Sequence, residues 1–144
     1  EQAMVLSEQY PNQFMLWNLM GTASAQTGQF DRAAYAFKKA LKIKPGTAEI
    51  YNNIGNVYFE QKKLGDAIEA YQKAISINPH FAEAFCNMGN CFIDKGNLEE
   101  ALKAYSEALF IRPNYAEAFN NIGIALKGNV FDKPNSIFTS HDPI

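Results

Sequence analysis

The sequence predicts an all-α solenoid of stacked helix-turn-helix units, and three observations carry that prediction. Pro11, Pro45, Pro79 and Pro113 follow one another at intervals of 34 residues, and Gly21, Gly55, Gly89 and Gly123 keep the same interval. Three more columns share the register: Ala33, Ala67 and Ala101; Phe37, Tyr71 and Tyr105; Ala40, Ala74 and Ala108. Between the prolines, apolar residues recur at three and four positions, the spacing of a helix face rather than a strand. Self-similarity at a period of this size is the mark of a repeat array.

Each unit reads as two helices. The first begins about three residues past the proline, giving 14–27, 48–61, 82–95 and 116–127, with apolar stripes such as Tyr51, Ile54, Tyr58 and Phe85, Met88, Phe92. The second covers 31–44, 65–77 and 99–112, its buried stripe marked by alanine, aromatic and alanine, as in Ala67, Tyr71 and Ala74. Gly28 and Gly96 stand between the paired helices, where a left-handed C-cap suits glycine. Lys42 and Lys44 complement the dipole at a second helix's end. The proline stops that helix, because it has no N–H to continue the ladder. By the same register, residues 1–11 read as the second helix of an earlier copy ending at Pro11.

Gly21, Gly55, Gly89 and Gly123 fall inside helices, where glycine costs about 1 kcal/mol relative to alanine. A close approach between paired backbones is the expected reason, with Ala67 and Ala101 forming the same contact from the other side.

These columns resemble the tetratricopeptide repeat, whose pattern runs aromatic, leucine-glycine, tyrosine, glycine, alanine, aromatic, alanine, proline. Trp17, Met20, Gly21, Gly28, Ala33, Phe37, Ala40 and Pro45 match it once. Tyr51, Ile54, Gly55, Tyr58, Ala67, Tyr71, Ala74 and Pro79 match it again, and Phe85, Met88, Gly89, Phe92, Gly96, Ala101, Tyr105, Ala108 and Pro113 a third time. Phe119, Ile122 and Gly123 begin a fourth copy. The expected organisation is an array over 1–128 (partial repeat 1–13; repeats 14–47, 48–81 and 82–115; partial repeat 116–128) and a tail over 129–144. Two residues depart from the pattern. Ser24 replaces an aromatic, which predicts looser packing of the first copy, and Lys62 replaces the glycine between helices, which predicts a changed turn or a strained one.

The resemblance implies a right-handed superhelix with the first helices lining its concave face. That face would carry Met15, Asn18, Leu19 and Thr22; Glu49, Asn52, Asn53, Asn56, Phe59 and Glu60; Glu83, Cys86, Asn87, Asn90, Ile93 and Asp94; and Glu117, Asn120, Asn121 and Ile124. Asparagine is a mediocre helix former, yet Asn53, Asn87 and Asn121 recur every 34 residues, with Asn56 and Asn90 one turn on. A carboxamide has a donor end and an acceptor end, so a row of them suits an extended main chain; the alternative is that some of these asparagines bond between repeats. The row resembles the asparagine ladder of the O-linked N-acetylglucosamine transferase repeat domain. Glu49, Glu83 and Glu117 form a rim, at a helix end where the dipole favours carboxylates in any case. Chaperone-binding relatives hold a C-terminal carboxylate with lysine and arginine on this face, whereas these positions hold Glu, Asn or Cys. A neutral or basic peptide segment is therefore the expected partner.

Composition excludes other classes. In 144 residues, 47% hydrophobic, 13 basic groups face 15 acidic ones for a formal net charge of −2, without the basic patch of a nucleic-acid or membrane-surface module. A related RNA-binding helical repeat uses a 35-residue period and basic positions, and neither occurs here. No apolar run reaches the roughly 20 residues of a membrane span. His80 and His141 are isolated, no CxxC or HExxH occurs, and no carboxylates pair as acid and base. No metal, cofactor or catalytic role is expected. Cys86 and Cys91 lie five apart on one helix, so their side chains diverge by about 140° and cannot bridge. Two reduced thiols point to a cytoplasmic setting.

The chain opens on Glu1 rather than Met, and a piece of a longer protein is expected. Residues 128–144 include Val130, Phe131, Ile137 and Phe138, and part of this tail is expected to fold back over the last helix as a cap, the alternatives being disorder or a boundary toward a further domain. Alternatively, the open front of one molecule completes the back of another, giving a head-to-tail homo-oligomer. The tail also resembles those of bacterial multidomain proteins, in which such an array adjoins a sulfotransferase-like or methyltransferase-like enzyme and docks its substrate.

Overall fold

The computed structural model describes residues 11–132, with side chains from 13 to 128. Seven helices follow one another among these residues: α1 (Pro11–Gln26), α2 (Phe30–Ile43), α3 (Ala48–Glu60), α4 (Leu64–Ile77), α5 (Ala82–Asp94), α6 (Leu98–Ile111) and α7 (Ala116–Asp132). They pair as α1–α2, α3–α4 and α5–α6, and α7 packs on the last pair. The result is an all-α solenoid.

Local chemistry explains the boundaries. The cap positions between Gln29 and Asn97 make no side-chain capping bonds. Carboxylates stand in the first turn instead: Asp31, Glu49, Asp66, Glu83, Glu99 and Glu100, and Glu117 in α7. They complement the exposed N–H groups and the positive end of the dipole. At the other end, α1, α3 and α5 close with one hydrogen-bond pattern. The N–H groups of Gly28 and Gln29 donate to the carbonyls of Ala25 and Ser24, those of Lys62 and Lys63 to Phe59 and Tyr58, and those of Gly96 and Asn97 to Ile93 and Phe92. This double closure needs a left-handed residue, which Gly28 (φ 78°) and Gly96 (φ 80°) adopt freely. Lys62 adopts it too, at φ 62°. Of the two expected outcomes at Lys62, the structure takes strain: the turn is unchanged, and the lysine bears the clash of its Cβ with the neighbouring carbonyl.

Four other expectations are corrected. Pro11 opens α1 rather than closing an earlier helix, because proline's fixed φ suits a first helical turn, where the missing N–H has no intrahelical use. The rest of that proposed earlier helix, residues 1–10, lies outside the described residues. Helix α7 runs to Asp132, four residues into the expected tail; the remainder of the proposed cap, 133–144, is likewise outside them. Ser24 does not loosen the first pair. Helix α1 packs along α2 as closely as the other pairs do, helped by an edge contact of the Trp17 and Tyr35 rings at 6.0 Å and by Lys44 over the Phe14 ring at 4.6 Å.

The fourth correction concerns the helical glycines. A Cβ on Gly21, Gly55 or Gly89 would sit 2.5, 2.5 and 2.6 Å from the rings of Phe37, Tyr71 and Tyr105. The space is claimed by an aromatic side chain of the paired helix, not by its backbone. Ala67 lies in a buried cluster with Ile68, Tyr71 and Cys91 of the next repeat, against Tyr58 and Phe59 of the paired helix. Among the described residues no atom lies within 4 Å of the corresponding position on Gly123.

Curvature follows from which helices touch. Successive first helices meet, α1 with α3, α3 with α5 and α5 with α7, whereas successive second helices do not. The first helices therefore lie on the inner side of the bend and the second helices splay outward.

Candidate functional site

The asparagines of the inner face are bonded to one another across repeats. Asn87 Nδ2 donates to Asn52 Oδ1 at 3.1 Å. Asn121 Nδ2 donates to Asn90 Oδ1 at 3.0 Å and approaches Cys86 Sγ, the residue in the Asn52 column one repeat later, at 3.8 Å. The offset of 35 arises because a side chain one position further along the next helix reaches back across the seam. From the second helices, Tyr71 Oη donates to Asn56 Oδ1 and Tyr105 Oη to Asn90 Oδ1, both at 2.6 Å.

This sorts the sequence candidates. Asn52, expected in the groove, is 3% exposed. Its carbonyl oxygen is spent on the seam with Asn87, since leaving it unbonded would cost about 1–3 kcal/mol. Asn56 and Asn90 have their carbonyl oxygens engaged, leaving N–H groups for the groove. Asn87 and Asn121 have N–H groups engaged, leaving carbonyl oxygens. Asn53 is half-buried and makes no side-chain hydrogen bond among the described residues. Asn120 is exposed, and among the described residues no helix packs over it. Asn18, on α1, has a buried Oδ1 without a partner among the described residues. The rim residues Glu49, Glu83 and Glu117 are exposed in the first turns of α3, α5 and α7.

Sequence reasoning treated Tyr71 and Tyr105 as packing residues and missed that their hydroxyls fix the groove amides. A signal was present. Where the column holds phenylalanine, Phe37, the matching groove position is Thr22, which bonds its own helix at Asn18 O, 3.0 Å away. Where it holds tyrosine, the groove position is asparagine.

Two hollows adjoin on this face. One, of about 210 Å³, lies among Asn56, Phe59, Glu60, Tyr71, Asn87 and Asn90. The other, of about 300 Å³, continues it past Phe59 and Asn90 to Ile93, Asp94, Tyr105, Glu117, Asn121, Ile124 and Ala125. Neither is lined by lysine or arginine. Behind the face, burial pushes the Cys86 thiol up to about 11, reinforced by Glu117 and partly offset by hydrogen bonds from Tyr115 and Asn121. Burial likewise pushes the Cys91 thiol up to about 12, with Asp94 adding to it. These are packing thiols, protonated and poor as nucleophiles. Among the described residues no group of three or more His, Cys, Asp or Glu could hold a metal ion, and no helix is long and apolar enough to cross a membrane.

Sequence models described as tetratricopeptide repeat match residues 48–81 and 70–103, and one described as TPR repeat matches 21–62 and 89–130, together more than half the chain. The chain belongs to the tetratricopeptide repeat family. Solved structures agree. The first such domain of the human RPAP3 protein is similar with a TM-score of 0.79 and 25% identity, over 88% of this chain and 98% of that one. The first TPR of Spaghetti (RPAP3) bound to an HSP90 peptide, SRMEEVD, gives 0.76 and 24% over 83% and 94%. An O-GlcNAc transferase mutant from Thermobaculum terrenum gives 0.74 and 22%, over 81% of this chain but only 22% of that enzyme. No curated protein sequence matches significantly. The tetratricopeptide repeat is in general a protein-interaction fold.

Proposed function

We propose that the chain is a protein-interaction scaffold that grips an extended peptide segment in the asparagine-lined groove along α3, α5 and α7. The observation that carries this is the division of labour among the amides. One end of each of Asn56, Asn87, Asn90 and Asn121 is held by a neighbour, so the other end is pre-oriented toward the hollow. The offered groups are donors on Asn56 and Asn90 and acceptors on Asn87 and Asn121. An extended main chain presents carbonyls and N–H groups in alternation, and pre-oriented partners reduce the ordering cost of binding. The RPAP3 domain seen with a bound HSP90 peptide supports peptide capture by such a fold. The carboxylate-bearing rim and the lack of cations in the hollows favour a neutral or basic segment over an acidic one.

The test is alanine at Asn53, Asn87 and Asn121 together, with affinity measured for a peptide selected on the wild-type chain. Binding should weaken about tenfold or more, each lost pair of hydrogen bonds being worth about 1 kcal/mol. A thermal melt of the same variant separates lost binding from the seam bonds removed with Asn87 and Asn121. Unchanged affinity refutes the groove. A docking role within a larger enzyme would use the same groove, and the full-length gene decides it.

A second reading has its own observation. Leu16 and Met20 on α1, and Phe119 and Leu126 on α7, are about half exposed, so among the described residues the first and last helices each present an apolar face. Head-to-tail assembly would cover them. Light scattering across a concentration series tests it, and a strict monomer throughout refutes it.

A further inference from the structure

The larger hollow has a chemistry of its own. Ile93, Ile124, Ala125 and the Tyr105 ring give it apolar walls, Phe59 closes one side, and Asp94 and Glu117 bring two carboxylates to it. A cation of the chain already stands near its edge. Lys62 Nζ lies 4.0 Å from Asp94 Oδ2 and 5.6 Å from the centre of the Phe59 ring. Lys62 is also the one non-glycine residue with a left-handed backbone among the described residues. The turn it closes is made without strain by Gly28 and Gly96 in the copies on either side. Strain that the fold does not need points to the side chain as the reason for keeping it.

We infer that this hollow is a specificity subsite for an arginine or lysine side chain of the bound peptide, and that Lys62 forms its lip and competes for Asp94. The inference rests on the groove reading above and names what the groove selects. A long basic side chain has an aliphatic stem and a charged head. The stem would lie against Ile93 and Ile124, and the head would meet Asp94 and Glu117 beside the face of Phe59. A guanidinium suits this best, because it pairs with carboxylates through a planar fork and stacks on rings. An acidic side chain would face two like charges. Lys127, which follows Phe59 and Ile93 in register, does not line the hollow and leaves its charge unbalanced. The Lys62–Asp94 contact is mostly exposed, with side chains 75% and 37% accessible, and gives way to a better-seated partner.

The experiment selects random heptapeptides displayed on phage against the full chain, then varies each position of the selected sequence. One position should be enriched in arginine or lysine, and replacing that arginine with neutral, isosteric citrulline should weaken binding about tenfold. In the Asp94→Asn, Glu117→Gln double variant the arginine and citrulline peptides should bind alike, with the citrulline affinity unchanged from wild type. Lys62→Gly should tighten the arginine peptide severalfold and leave the citrulline peptide alone. If the double variant fails to fold by circular dichroism, the citrulline comparison on wild type and the Lys62→Gly variant decide. Enrichment of leucine or glutamate, or equal binding of arginine and citrulline, overturns the subsite while Asn53, Asn87 and Asn121 still govern affinity. Peptides indifferent to those asparagines overturn the groove and the subsite together.

Discussion

Helices α3 and α7 begin almost identically, Ala48-Glu49-Ile50-Tyr51-Asn52-Asn53-Ile54-Gly55 against Ala116-Glu117-Ala118-Phe119-Asn120-Asn121-Ile122-Gly123, yet their residues do different work. In α3, Asn52 is buried and bonded across the seam, and Gly55 lies under the Tyr71 ring. In α7, Asn120 is exposed, Phe119 is 57% exposed, and among the described residues nothing lies within 4 Å of a Cβ on Gly123. Both segments form helices, because the helical pattern is local. The difference teaches that a repeat's residues acquire their roles from the neighbouring helices, and in a stacked array each unit depends on the next.

Alkaline pH should strike the interior hardest. Burial raises the pKa values of Cys86 and Cys91 from their ordinary 9.0 to about 11 and about 12. It also raises those of Tyr71, Tyr105 and Tyr115 above the ordinary phenol value. A group whose folded value is raised stabilises the fold fully below its unfolded value and loses that contribution as pH rises. Stability should therefore hold to about pH 9 and then fall, by up to about 1.4 kcal/mol per pH unit for each group ionised only in the unfolded chain. Melting temperatures from pH 7 to 11 measure this, and a flat profile would mean the interior is not closed to water.

Next in size, Gly55→Ala should cost about 1–3 kcal/mol, since the Tyr71 ring must shift to admit a methyl group. Chemical denaturation reads the loss directly, and a neutral result would break the ring-on-glycine contact that separates α3 from α7. The smallest effect has the opposite sign. Gly123→Ala should stabilise by up to about 1 kcal/mol through helix propensity alone; a loss there would mean that something covers α7 in solution.

The repeat, the helix pairing and the glycine turns were legible because they rest on local periodicity and on residues with special backbone freedom. The groove was legible as a face, since helix geometry dictates which residues share a side. Its detailed chemistry was not, because Asn52 and Asn56 differ by one turn in the sequence and by a seam in space. One bonds the next repeat and the other bonds the Tyr71 hydroxyl. Only the offset between stacked helices settles which amide ends remain for a partner. Likewise Lys62 was visible as a departure, but its position beside Asp94 and Phe59 joins two repeats and has no signature along the chain.

What the sequence determined by itself is the all-α repeat and the placing of carboxamides on one helical face, since both follow from short-range spacing at 34-residue intervals. Tertiary structure decided which asparagines are buried, which ends of the others are spoken for, and where a cation rests. Those outcomes depend on contacts between helices of different repeats, such as the Asn52–Asn87 and Asn90–Asn121 bonds, which no short-range spacing encodes.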